Sequence, residues 1–233
     1  MAGYARLLAF HLNDIEKAVE VLDETINMPR VQPSLVAECK LELGDILILR
    51  GNIWDASLYY SQVDKDYKND AIGREAKYRN ARLSYYMGEF EWAAAQLNVL
   101  KAATSQLISN DAMQLGLLIM DNLGTDSITE PVQMYARADL YDFCNRRIEA
   151  LATLDSLLIS WPGHSLTDEI WFKQAVIYSK NGNYTKAAEL YSQVFAQIVI
   201  LTGKKIKCLT YTSDFERGLM NQLAEHLGNY GGF

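Results

Sequence analysis

The fold is decided by one stretch in which small residues and large aromatic residues recur at helical spacing: Trp171-x-x-x-Ala175-x-x-Tyr178-x-x-x-Gly182-x-Tyr184-x-x-Ala187-x-x-x-Tyr191. Small side chains at Ala175 and Ala187 let two helix backbones approach closely, and the large side chains beside them fill the remaining space. Gly182 lies between the two apolar segments, where a tight turn needs a left-handed backbone conformation. The stretch therefore predicts a hairpin of two helices.

The same pattern recurs at a fixed interval along the chain, as stacked repeats require. Matching positions lie 37 residues apart in these pairs: Gly44 and Ala81, Gly51 and Gly88, Ala56 and Ala93, Tyr60 and Leu97, Ala138 and Ala175, Ala150 and Ala187, Leu154 and Tyr191. From Ala93 to Ala150 the interval is 57, which leaves room for one extra helix. Ala18 lies 38 residues before Ala56, so the first hairpin is a divergent repeat.

This arrangement resembles the tetratricopeptide repeat (TPR) family, and within it the bacterial TPR-like helical repeat proteins. The unit from Trp171 to Tyr191 carries the most specific match, and the resemblance covers residues 2–199. The period is longer than the roughly 34 residues usual in the family. The resemblance implies an all-α fold: a right-handed α-solenoid of TPR-like hairpins, with one extra unpaired helix and a C-terminal closing helix.

The hairpin boundaries follow the four prolines, which all fall between predicted helices, where the missing N–H costs least. We predict a repeat array over residues 1–199, with hairpins at 2–30, 34–68, 71–104, 130–162 and 165–199 and the extra helix at 110–123. Residues 200–233 form a tail outside the repeat pattern. In this tail Ser213-Asp214-Phe215-Glu216 is a plausible capping box, and an apolar stripe from Phe215 to Leu227 predicts a closing helix at 214–227.

Composition and charge narrow the classes of partner. The formal net charge is -7 and Lys and Arg form no cluster, so we expect no nucleic-acid partner. The longest apolar stretch, Ile198–Leu201, is far shorter than the roughly 20 residues of a membrane span. The first residues lack the features of a signal peptide, which indicates a cytoplasmic protein as written. The alternative is the periplasm or cell envelope, if the chain is a fragment of an exported protein.

The N-terminal end lacks the polar capping unit that repeat arrays usually carry. The chain begins inside the first helix of a repeat. We therefore expect an upstream repeat array, or self-association, at this end.

The residue types that support catalysis or metal binding do not form a recognisable constellation. Single cysteines and histidines are scattered along the chain at Cys39, Cys144, Cys208, His11, His164 and His226. The segment Thr202–Lys205 lacks the first glycine of a phosphate loop and the Ser or Thr after its lysine. The acidic segment 121–126 lacks the alternating ligands of a calcium loop. We predict no enzyme activity, no catalytic residue, no metal site and no cofactor.

In the family that the chain resembles, the first helix of each hairpin lines an inner groove. By the repeat register, the groove residues here are Leu41, Asp45, Tyr78, Arg82, Tyr85, Tyr135, Asp139, Asp142 and Phe172. Tyrosine rings give a large contact area with a polar handle. The alternative is that several of these rings pack between helices.

Family members that bind the C-terminal carboxylates of heat-shock chaperones use a repeated lysine and asparagine at these groove positions. The matching positions hold Leu41/Asp45, Tyr78/Arg82, Tyr135/Asp139 and Phe172/Val176, so that clamp is not carried over. The acidic Asp45, Asp139 and Asp142 instead predict a neutral or basic extended partner.

The fold makes a non-enzymatic protein-interaction scaffold the main functional prediction, with a peptide segment or partner protein bound in the groove. This prediction rests on analogy at the level of fold. The alternative is a glycan- or cell-envelope-associated binding protein of the bacterial TPR-like type. Exposed coplanar pairs of Tyr and Trp would favour that alternative.

Overall fold

A computed structural model describes residues 1–100, 106–123 and 128–202, without the side chains of residues 106–107 and 197–202. Over these ranges the chain forms eleven α-helices and no β-strand. The predicted all-α class is therefore confirmed. The predicted closing helix at 214–227 lies outside the described residues.

Ten of these helices are consecutive pairs joined by short turns, and one stands between the third and fourth pairs. The pairs are α1 (Ala2–Phe10) with α2 (Ile15–Asn27), α3 (Pro33–Leu49) with α4 (Ile53–Asp66), α5 (Ala71–Tyr86) with α6 (Phe90–Leu100), α8 (Glu130–Phe143) with α9 (Arg147–Ser160), and α10 (Thr167–Lys180) with α11 (Tyr184–Thr202). The additional helix, α7, spans Gln106–Asn122, four residues earlier at its start than predicted. The predicted helical hairpins are confirmed, and the predicted boundary at residue 200 stays a prediction.

Each of the five hairpin turns contains one residue with a left-handed backbone. These residues are Asn13 (φ 55°), Gly51 (φ 81°), Gly88 (φ 82°), Asn145 (φ 57°) and Gly182 (φ 76°). The sequence analysis assigned a turn to Gly182 and matched Gly51 with Gly88 by the repeat interval, but it identified neither asparagine. The asparagines occupy the equivalent turn positions because Asn, after Gly, adopts this conformation most readily.

The chain divides into two compact units. The first comprises Met1–Met120 together with Phe143–Asn145, and the second comprises Asp121–Asp142 together with the residues from Arg146 onward. In the first unit α3 contacts α1, α2, α4 and α5, so it is enclosed on several sides. All residues of α3 from Leu43 to Ile48 are buried, and they include Gly44.

Helices α3 and α4 of the first unit approach each other closely at Gly44 and Tyr60. The ring of Tyr60 is fully buried and lies against Gly44, where an added Cβ would overlap ring carbon Cε1 of Tyr60. The equivalent pair in the next hairpin is Ala81 with Leu97, both fully buried. A glycine at position 44 therefore compensates for the larger ring at position 60.

In the second unit, the stretch that decided the fold forms a single apolar cluster. Its buried members are Ala175, Ala187, Leu190 and Tyr191, and Trp171, Phe172, Val176 and Tyr178 pack against them. Both alanines are at most 1% exposed, so the small residues lie at the helix contact that the sequence predicts.

Candidate binding surface on the first helices

The predicted groove residues of the first unit are more enclosed than their register suggested. Leu41, Asp45 and Tyr85 are buried, and Tyr78 and Arg82 are partly buried. Arg82 contacts two of these residues. Its Nη2 lies 3.6 Å from Oδ1 of Asp45, and its guanidinium carbon lies 5.8 Å from the ring centre of Tyr78. The structure therefore brings Asp45, Tyr78 and Arg82 into one cluster.

The ring of Tyr85 packs between helices. This is the alternative that the sequence analysis gave for the groove tyrosines. This ring is 1% exposed and its centre lies 6.0 Å from that of Phe90 in α6. The ring centre of Tyr86 lies 5.7 Å from that of Tyr85. Tyr85 consequently belongs to the contact between α5 and α6.

The predicted groove residues of the second unit also make internal contacts. Tyr135 is buried, and its hydroxyl donates a 3.3 Å hydrogen bond to the backbone oxygen of Glu169. The partly buried Phe172 packs edge-on against Tyr191 with ring centres 5.7 Å apart. The assignment of these residues, and of those in the first unit, to partner binding stays a prediction.

The buried carboxylate of Asp45 is the centre of an ion network that joins α1, α3 and α5. Its Oδ2 accepts hydrogen bonds from Arg6 at 3.1 Å and from Arg79 at 3.0 Å. The same two arginines also bind Glu42, at 3.0 Å and 3.2 Å. Burial opposes the charge of Arg79, but the carboxylates of Asp45, Glu75 and Glu42 outweigh it and raise the pKa of Arg79.

The second unit contains an ion pair at the equivalent register. Lys173 Nζ lies 2.6 Å from Oδ1 of Asp139, and in both units the acid precedes its base by 34 residues. A second acid, Asp142, lies 3.5 Å from Lys173 and 3.2 Å from Lys180. The three predicted groove acids, Asp45, Asp139 and Asp142, are therefore each paired with a cation of the same chain.

The sequence analysis did not identify the bases of these pairs. Arg79 stands two residues before Ala81, and Lys173 stands two residues before Ala175, at the same repeat position. The acid in each pair follows a small residue of the preceding first helix by one position. This shared spacing of opposite charges was the signal that could have identified them.

A cavity of about 480 Å³ opens between α1, α3 and α5 of the first unit. Its lining residues are Ala2, Gly3, Arg6, Glu38, Leu41, Glu42, Ala71, Ile72, Glu75, Arg79 and Ile108. Leu41 is the one predicted groove residue that lines it. Glu38 is exposed at the cavity and forms no ion pair within the described ranges, while Glu75 bonds Arg79 through Oε1 at 2.7 Å.

This lining combines apolar contact with open carboxylate oxygens. Such a combination suits a ligand that places an aliphatic stem in the cavity and a positive or neutral polar group near Glu38 and Glu75. Because the two arginines are held by Glu42 and Asp45, they balance acids of the chain itself. The unpaired charge at the cavity is therefore negative.

In the described part of the chain, no group of three or more His, Cys, Asp or Glu side chains could hold a metal ion. No helix among those residues has the length and apolar character of a membrane span. Cys39 is buried, Cys144 is partly buried, and both are free thiols; Cys208 and His226 lie outside the described residues.

The glycan-binding alternative would be favoured by coplanar pairs of exposed aromatic rings. Ring pairs recorded among the described residues are tilted by angles from 44° to 80°. None of these pairs is a coplanar platform. Glycan binding stays a prediction.

Comparison with known proteins gives similarity to solved structures alone. No family model matches the chain, and no curated protein matches it. The chain is similar to a crystal structure of a Podosopora anserina putative kinesin light chain with nearly identical TPR-like repeats, at 18% identity and a TM-score of 0.39, over 86% of this chain and 94% of that chain. It is similar to the crystal structure of a single-residue variant of the same protein, also at 18% identity and a TM-score of 0.39, over 84% and 92%.

Proposed function

We propose that this protein is a non-enzymatic interaction scaffold that binds a peptide segment or partner protein in the cavity between α1, α3 and α5. The observation that carries the proposal is the cavity itself, which is open, about 480 Å³ in volume, and lined by residues of three first helices and by Ile108 of α7. Its volume falls within the usual range of ligand pockets in proteins. Helical repeats of this kind present such surfaces for extended ligands.

The charges at the cavity favour a neutral or basic partner. The acids that first suggested such a partner, Asp45, Asp139 and Asp142, are engaged within the chain. At the cavity, Glu38 and Glu75 are the acids that can attract a basic group of the partner. Glu38 is exposed, and Glu75 uses only one carboxylate oxygen to bind Arg79. A lysine or arginine of the partner would supply the matching charge, while its methylene groups cover Leu41.

The proposal is tested by filling the cavity without disturbing the ion network. Ala71 is an exposed residue of α5 that lines the cavity, so Ala71→Trp should block it. Ala95→Trp is the matched control, since Ala95 is an exposed alanine of α6 that is not part of the lining. Circular dichroism and urea denaturation establish that both variants fold.

Heptapeptides displayed on phage are selected on the purified wild-type protein, and the dissociation constants of the selected peptides are measured by fluorescence anisotropy. We expect sequences enriched in Lys and Arg, with binding at least ten-fold weaker to Ala71→Trp and unchanged for Ala95→Trp. Selection of no peptide would contradict the proposal. Equal binding to both variants would place the binding surface elsewhere.

A further inference from the structure

Two tryptophans of the first unit are mostly exposed to solvent at the start of successive second helices. Trp54 lies in the first turn of α4 and Trp92 in the first turn of α6. Their exposed fractions are 75% and 61%. A tryptophan can bury roughly 150–250 Å² of surface when it is covered, so neither indole contributes its apolar area to the core.

Both tryptophans lie at the same edge of the first unit. Helix α4 is joined to α3 and to α5 by short connections and contacts both, so it is antiparallel to each of them. Helices α3 and α5 therefore run in the same direction. Their C-terminal ends, and the turns at Gly51 and Gly88 that follow, therefore meet the same edge. We call this surface, residues 50–55 and 87–92, the turn edge.

The turn edge carries an excess of negative charge around the two rings. Its exposed acids are Asp55, Glu89 and Glu91. The one base within residues 50–55 and 87–92 is Arg50, whose Nη2 bonds Glu16 of α2 at 2.9 Å. Acids near a helix N-terminus stabilise the helix, which explains Asp55 and Glu91 structurally. This explanation does not extend to the exposed indoles.

We infer that the turn edge is a second interaction surface, at which Trp54 and Trp92 hold Lys or Arg side chains of a basic protein segment. An indole face is the best aromatic partner for a cation. The neighbouring carboxylates attract the same charge and favour its approach to the rings. This surface shares no residue with the cavity between α1, α3 and α5, so the inference is independent of the groove.

The test uses two labelled decapeptides as probes, one of alternating Arg and Gly and the other of alternating Glu and Gly. Binding to the whole chain is followed by fluorescence anisotropy at low ionic strength. The Arg peptide should bind and the Glu peptide should not. The double variant Trp54→Ala/Trp92→Ala should bind the Arg peptide about ten-fold more weakly, as expected for two exposed cation–π contacts.

Two matched controls separate the turn edge from other surfaces. Ile148→Ala/Tyr184→Ala removes two exposed side chains from the first turns of α9 and α11, at 82% and 65% exposure, and should leave the affinity unchanged. Ala71→Trp should also leave it unchanged if the peptide binds at the turn edge. Because both tryptophans are exposed, their replacement should preserve the fold, which circular dichroism verifies.

Three results would overturn the inference. The first is that the Arg peptide fails to bind the wild-type chain, or binds no better than the Glu peptide. The second is that the double tryptophan variant retains wild-type affinity. The third is that Ala71→Trp abolishes binding, which would assign the peptide to the cavity.

Discussion

The hydroxyl of Tyr60 donates a 2.6 Å hydrogen bond to Oδ1 of Asp45, so the second helix of a hairpin supplies a donor to the carboxylate that joins three first helices. Burial raises the pKa of Tyr60 well above its ordinary value, and the negative charge of Asp45 raises it further. The hydroxyl group therefore keeps the proton that it donates. This bond requires the ring to pass directly beside Gly44. Packing in the hairpin and charge pairing between hairpins therefore depend on the same side chain.

Gly44→Ala should destabilise the first unit by about 1–3 kcal/mol, the range typical of overpacked cores. The added methyl would overlap the Tyr60 ring, and any shift of the ring weakens its bond to Asp45. The gain in helix propensity, roughly 1 kcal/mol, offsets part of this cost. Urea denaturation monitored by circular dichroism measures the difference in unfolding free energy.

The double variant Gly44→Ala/Tyr60→Leu is the control for this mechanism, because it copies the Ala81 and Leu97 pair of the next hairpin. It removes the overlap but leaves Asp45 without its tyrosine donor. The double variant should therefore be less destabilised than the sum of the two single variants. Strict additivity would show that the ring and the added methyl do not interfere.

Asp45→Asn should cost about 3 kcal/mol, because removing one partner of a buried pair leaves uncompensated charge. Asp45 is 2% exposed and faces the guanidinium groups of Arg6, Arg79 and Arg82. Glu16→Gln removes the exposed partner of Arg50 and should cause a much smaller loss. Comparable losses in the two variants, by urea denaturation at neutral pH, would contradict the assignment of Asp45 as the centre of the network.

The hairpin fold could be predicted from the sequence because small and large residues mark the same helix contact in each repeat. Ala175 and Tyr191 lie in one buried cluster, as their spacing requires. The two asparagine turns were missed because the search for turn residues used glycine. Asn13 precedes Gly51 by 38 residues and Asn145 follows Gly88 by 57, the same intervals that separate the repeat alanines, so the signal was present.

The groove was harder to predict because helical periodicity identifies one apolar face, whereas α3 contacts four other helices. The repeat register assigned Leu41 and Asp45 to the groove, yet both are buried. Their burial comes from long-range packing and from Arg6 and Arg79, which lie 39 residues before and 34 residues after Asp45. A single helix cannot report contacts made at those separations.

Gly73→Ala should destabilise the first unit by about 2 kcal/mol or more, because a Cβ at this buried position would overlap the backbone carbonyl of Tyr67, which cannot rotate away as a side chain can. Gly3→Ala is the matched control in α1, where nothing lies within 4 Å of an added Cβ. It should be neutral or slightly stabilising through helix propensity. Urea denaturation measures both unfolding free energies, and an equal change in the two variants would contradict the prediction.

Glu169, in the first turn of α10, should make the second unit less stable as pH rises. Burial, and next the hydrogen bond and charge of Asp168, raise the pKa of Glu169 to about 8, above the roughly 4.3 expected in the unfolded chain. Between these values the folded state binds more protons than the unfolded state. Stability from this group is therefore present at low pH, declines between about pH 4.3 and 8, and changes little above that.

Glu169→Gln removes this titration, so its unfolding free energy should exceed that of the wild type at pH 8 by up to about 5 kcal/mol, and the difference should shrink as the pH falls toward 5. The Oε2 atom of Glu169 has no hydrogen-bond partner among the described residues, so the amide should lose little bonding. Glu130→Gln changes an exposed glutamate in the first turn of α8 and should keep the wild-type pH dependence. Urea denaturation at pH 5, 6.5 and 8 distinguishes the variants, and parallel profiles for wild type and Glu169→Gln would refute the assignment.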